Sequence, residues 1–190
     1  MLIAALAVAL TVNVTVAPGI PSTLVARALA ETDAIWRNSG FAFAWRQAPR
    51  DHAAETLHVV IGRDVRPVID GGIALGWIMF DETSPDREIY VSYANAEALL
   101  ADSPGVIGPL DRTTKFEREV LLGRALGRAL AHEMGHYLLA SKVHTVKGLM
   151  KARRTASDFF GNDNRGFTLD AAQRSAITAR LTREAVVASR

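Results

Sequence analysis

Apolar and polar side chains alternate at Leu10–Val16, where Val12, Val14 and Val16 are separated by asparagine and threonine. A period of two predicts a half-buried strand. Pro18, Gly19 and Pro21 then punctuate the chain, and Ser22 is placed to cap a helix running to about Asn38, with Leu24, Ala28, Ile35 and Trp36 on its apolar side. Asn38-Ser39-Gly40 supplies the stop. Phe41, Phe43 and Trp45 alternate with alanine as a second strand. Thr56–Ile61 is a continuous apolar run suited to a sheet centre. The Gly71-Gly72 loop leads to a fourth strand, Ala74–Phe80, and a turn over Asp81–Glu88 joins it to a fifth, Ile89–Tyr93. A short helix near Ala94–Ala101 precedes a Pro/Gly-rich connection through Pro104 and Pro109.

The longest helical pattern follows. Thr114-Lys115-Phe116-Glu117 has capping-box spacing, and nothing stops the helix firmly until about Ser141. Gly123, Gly127 and Gly135 each weaken such a helix by about 1 kcal/mol, so their spacing points to close packing instead. Thr168 and Asp170 open a last helix to about Val187, with Leu169, Ala172, Ile177 and Leu181 facing inward.

Composition narrows the chemistry. At 190 residues the chain suits a single domain over 10–190, with a small C-terminal part from about 145. It has no cysteine, which excludes disulfides, iron–sulfur clusters, thiolate zinc sites and a cysteine nucleophile. Any metal must be held by His, Asp or Glu. Residues 142–190 carry 10 Lys/Arg against 4 Asp/Glu, but without a basic run or interleaved aromatics. That excess reads as a solvated face with a hint of acidic substrates, and no nucleic-acid partner is expected. No segment has the roughly 18–20 apolar residues of a membrane span, so no stable membrane insertion is expected. Residues 1–9 read either as a leader remnant ending at Ala7-Val8-Ala9 or as the feed into the first strand. The first reading implies a secreted or periplasmic protein, the second a cytoplasmic one.

The long helix carries His132-Glu133-Met134-Gly135-His136. Histidines at i and i+4 share one face a turn apart, so both imidazoles can reach one Zn²⁺. Glu133 stands where it can take a proton from a water attacking a carbonyl. The H-E-x-x-H pattern therefore reads mechanically as a zinc hydrolase. A catalytic zinc needs three protein ligands and an open position. His144, past the helix end, is the first candidate for the third, and Asp158, Asp163, Asp170 and Glu184 are the alternatives. His52 and His58 read as structural. Met150, in Gly148-Leu149-Met150, is placed to form an apolar floor beneath the imidazoles.

His132-Glu133-x-x-His136, then His144, then Gly-Leu-Met150, resembles the metzincin clan of zinc peptidases, and more loosely its compact archaemetzincin-like members. The resemblance spans roughly residues 10–185, although only the motif region is specific. It implies an α/β (α+β) zincin-like fold, with a mixed, twisted, five-stranded sheet packed on the active-site helix and a small helical C-terminal part. It also implies peptide-bond hydrolysis of a peptide or protein substrate, which lies along an edge strand formed by Leu75, Gly76, Trp77, Ile78, Met79 and Phe80. Two departures stand out. Leu139 occupies the position where the clan carries a turn-forming glycine, and the third histidine comes two residues late. The position two after Met150, a tyrosine in some members, is Ala152. Lys151, Arg153 and Arg154 are nearby cations that read as solvated. A non-catalytic binding module stabilised by zinc is the rival function.

Overall fold

The computed structural model describes residues 10–49, 56–65 and 73–188. The leader segment 1–9, His52 and the Gly71-Gly72 loop lie outside the described residues. Strands β1 (Leu10–Val16), β2 (Phe43–Gln47), β3 (Leu57–Gly62), β4 (Gly76–Asp81) and β5 (Ser84–Ser92) form one sheet in the order β2-β1-β3-β5-β4. All pairings are parallel except β4 with β5, so the sheet is mixed and β4 is an edge strand. The apolar run of β3 is buried along its whole length, as its central place requires.

β4 and β5 correct the expected boundaries. Leu75 lies just before β4, although its carbonyl still accepts from the Ser92 N–H at 2.8 Å. The long turn over Asp81–Glu88 is instead a hairpin closing at Asp81 and Ser84, with Glu82 at φ 51°. β3 pairs with β5 only from Glu88 onward, so the first half of β5 has β4 as its sole sheet partner. That two-stranded ribbon faces solvent, and its polar sequence resembles a loop for that reason.

Helix α1 (Ser22–Arg37) starts after Pro21, and no side chain caps it; Ser22 is its first residue and not its cap. Helix α2 (Tyr93–Ala101) is capped by Ser92, which accepts from the Asn95 N–H. The Pro/Gly-rich connection contains the short helix α3 (Pro104–Ile107) and a 3₁₀ turn at Leu110–Arg112. Helix α4 (Lys115–Leu139) has the anticipated capping box from Thr114 and Glu117. The short α5 (Ala156–Phe160) and the longer α6 (Ala171–Ala188) complete the order. α3 and α5 are too short to show a helical period. Asp170 caps α6 reciprocally with Gln173. Leu169 and Ile177 are buried and Leu181 is half-buried, but Ala172 is exposed, contrary to the expected face. Among the described residues no helix is long and apolar enough to cross a membrane.

The glycines of α4 are explained by contact. A Cβ at Gly127 would lie 2.5 Å from the Ala28 carbonyl oxygen, and one at Gly123 would lie 2.7 Å from Arg27 Cβ, so α4 lies backbone-close to α1. Gly127→Ala should therefore lower stability by about 1–3 kcal/mol through overpacking. This should hold although alanine gains about 1 kcal/mol in helix propensity. Urea unfolding measures it, and an unchanged midpoint would mean that α1 can move away from α4.

Candidate metal centre

Three imidazoles meet at the C-terminal part of α4. His132 and His136 project from successive turns, and His144 arrives from the segment after the helix. His136 Nε2 lies 3.1 Å from His132 Nε2 and 3.2 Å from His144 Nε2. The ring of His136 is edge-on to both others, at interplanar angles of 89° and 90°.

The proton positions follow from the partners. His132 Nδ1 is 2.8 Å from the Leu149 carbonyl, and His136 Nδ1 is 2.7 Å from the Ser141 carbonyl. A carbonyl can only accept, so both Nδ1 atoms carry the hydrogen and both neutral rings leave Nε2 as a bare lone pair. Burial drives both imidazoles towards that neutral form, His132 down to about 3 and His136 below its ordinary value. Two lone pairs facing each other at 3.1 Å repel unless a cation lies between them. Ligands at 2.0–2.1 Å in a tetrahedron are about 3.3–3.4 Å apart, close to the spacing seen here. The donor set thus fits a metal ion, with backbone carbonyls orienting two of the three rings from behind.

The turn that delivers His144 accounts for the missing glycine. α4 runs on through Leu139 and ends at Ala140, which adopts the left-handed conformation (φ 46°, ψ 48°). The Ser141 N–H donates to the His136 carbonyl and the Ala140 N–H to that of Tyr137, both at 3.2 Å. These bonds form a Schellman motif with alanine where glycine is usual. The reversal thus comes one residue after Leu139 and aims the Ser141 carbonyl at His136. Ala140→Gly should gain about 0.5–1 kcal/mol, because glycine takes a positive φ without steric penalty. Thermal melting checks this, and a loss would show that the Ala140 methyl contributes more than its strain removes.

Met150 is buried beneath α4, and a Cβ at Gly135 would overlap its Sδ. Its loop is fastened by the Thr145 N–H to the Met150 carbonyl (2.8 Å) and by the Leu149 N–H to the Thr168 carbonyl (2.7 Å). Gly148 has φ +80°, and a Cβ there would lie 2.6 Å from the Thr168 oxygen. The loop therefore presents the Leu149 carbonyl to His132 and the Met150 side chain to the helix together.

Glu133 is buried at the edge of this group and is not one of the three converging residues. Burial pushes its carboxyl up to about 8. It packs against β4, where a Cβ on Gly76 would lie 3.0 Å from Glu133 Cγ and 3.2 Å from the Tyr90 carbonyl. Both residues line a cleft of about 1000 Å³ that also takes in the three histidines, Ile73–Phe80 and the 151–154 segment. Trp77 stacks on Tyr90 at 4.3 Å, while Met79 is half exposed beside a bulge between Ile78 and Phe80.

The four downstream acids are engaged elsewhere. Asp158 caps α5 and pairs with Lys151, Asp163 pairs with Arg165, Asp170 caps α6, and Glu184 pairs with Arg180. His58 is buried with its Nε2 2.8 Å from Thr15 Oγ1, in keeping with a structural role. Arg154 departs from the solvated reading. It is half-buried, stacks on Phe167 at 3.7 Å and donates to the Gly148 and Leu149 carbonyls. Sequence reasoning missed the two orienting carbonyls and Arg128. Only Arg128 had a signal, standing four residues before His132 on the histidine face.

Fold and site together define a mixed α/β protein with a five-stranded mixed sheet and a three-histidine group that can hold a metal ion. No protein-family model matches the chain, and no curated protein shows significant sequence similarity to it.

Proposed function

We propose that this chain is a zinc-dependent hydrolase of peptide bonds. The observation that carries the proposal is the convergence of three imidazole Nε2 atoms, two of them held as lone pairs by backbone carbonyls behind their rings, beside a buried glutamate in an open cleft. Three imidazoles with a free position suit zinc, which when bound supplies Lewis-acid polarisation of a carbonyl and acidification of water. Glu133 is the base. A cation held by the adjacent histidines would favour the Glu133 carboxylate over the neutral form that burial alone favours. That carboxylate takes a proton from the attacking water as the water oxygen bonds to the carbonyl carbon, then gives it to the nitrogen as the C–N bond breaks. The outer edge of β4 lies along the same cleft, and an extended peptide can add there as a further strand. The motif resemblance to metzincins supports the same assignment.

The deciding experiment is elemental analysis of the purified protein together with cleavage of a mixed peptide library, with and without chelator. About one zinc per chain and chelator-sensitive cleavage are expected. Stoichiometric zinc with no cleavage of any peptide would favour the binding-module reading.

A further inference from the structure

The histidine face of α4 carries one more polar side chain. Arg128 stands one turn before His132, and although wholly buried it lines the cleft. Its Nε donates to Glu31 at 2.8 Å, and its Nη1 donates to the Asp158 and Phe159 carbonyls at 2.7 and 3.3 Å. Its buried Nη2 has no hydrogen-bond partner among the described residues. Arg154 approaches from the 151–154 segment, which also lines the cleft. Both guanidinium groups lie over the Phe167 ring, at 3.7 Å for Arg154 and 5.1 Å for Arg128. The Nε of Arg154 is also buried without a hydrogen-bond partner; Asp158 offsets its charge from a distance and is itself paired with Lys151.

The charges around them lean one way. Lys142, Lys151 and Arg153 join the two arginines in lining the cleft, against Asp102 and Glu133. Glu31 offsets Arg128 and Asp158 offsets Lys151. Buried guanidinium N–H groups left without an acceptor are unfavourable, and an anionic acceptor satisfies them best.

We propose that Arg128 and Arg154 form a carboxylate subsite that selects where the peptide is cut. This rests on the peptidase reading above. One helical turn rises 5.4 Å and an extended peptide advances about 3.3 Å per residue, so the carboxylate belongs within about two residues of the cleaved bond. It comes from an acidic side chain or from the C-terminus of a short peptide, and the two sources share the same recognition chemistry.

The test uses the zinc-loaded wild-type protein and quenched fluorescent peptides. Glu and Gln are exchanged at each of the two positions on either side of the cleaved bond, and every peptide is made with a free and an amidated C-terminus. At one position, Glu should raise kcat/KM about tenfold or more over Gln; alternatively, the free acid should do so over the amide, which identifies the source. The same preference should appear in binding to the Glu133→Gln variant, read by fluorescence anisotropy without turnover. Arg154→Gln should bring the ratio close to one. If that variant fails to fold, the wild-type comparison decides alone. Equal cleavage and equal binding of charged and neutral peptides would overturn the subsite and leave the peptidase reading standing. Absence of any cleavage by the zinc-loaded protein would overturn the peptidase reading instead. Anisotropy still judges the subsite in that case, and it falls if the acidic peptide binds no better than its neutral partner.

Discussion

Glu133→Gln is expected to leave the protein folded and metal-loaded while peptide cleavage falls by about 10²–10⁴-fold, the usual contribution of a positioned general base. The structure separates the two readouts. Glu133 is not one of the converging donors, so metal content depends on the three histidines and should not change. Burial already favours the neutral carboxyl, and glutamine is its closest neutral isostere, so packing against Gly76 and overall stability should be retained. Elemental analysis, a melting curve and a cleavage assay on one preparation suffice. Retained cleavage would remove Glu133 as the base, whereas lost metal would place it in the ligand set.

His144→Ala should remove most of the stabilisation that metal gives. In the wild-type protein, zinc at about a thousandfold excess over Kd should add roughly 4 kcal/mol. For a chain of this size that raises Tm by roughly 8–16 °C. Removing one of three ligands should weaken binding by more than about 100-fold, since losing an outer-shell partner alone costs 10–100-fold. The variant should therefore gain little from zinc. Without metal the difference closes. His144 is exposed, and its Nε2 lies 3.2 Å from the His136 Nε2 lone pair, to which it can donate, so its deletion removes one exposed hydrogen bond and little packing. The metal-free variant should melt within a few degrees of the metal-free wild type. Parallel melts with zinc and with chelator test this, and an equal zinc response in both proteins would exclude His144 as a ligand.

Much of this site is written in local sequence, because helix geometry is local. The four-residue spacing of His132 and His136 places both rings on one face wherever α4 sits. The Thr114–Glu117 capping box and the apolar run of β3 were likewise legible, since each depends on neighbours a few residues away or on simple burial. The first half of β5 was not, because its polar residues on both faces of the strand carry no alternation. Nor was the left-handed Ala140, since alanine gives no signal for a positive φ.

The long-range contacts belong to the tertiary structure alone. The sequence by itself determined that a histidine pair with an adjacent glutamate lies on a long helix, and that Gly123, Gly127 and Gly135 mark close approaches. Which surfaces approach was decided by packing: α1 against Gly123 and Gly127, Met150 beneath Gly135. The same packing brought His144 to the pair, turned the Leu149 and Ser141 carbonyls towards the ring nitrogens, and set Arg128 and Arg154 over one phenylalanine. Such groups meet only when segments distant in sequence are buried together, and the period of a single helix or strand carries no record of its partner.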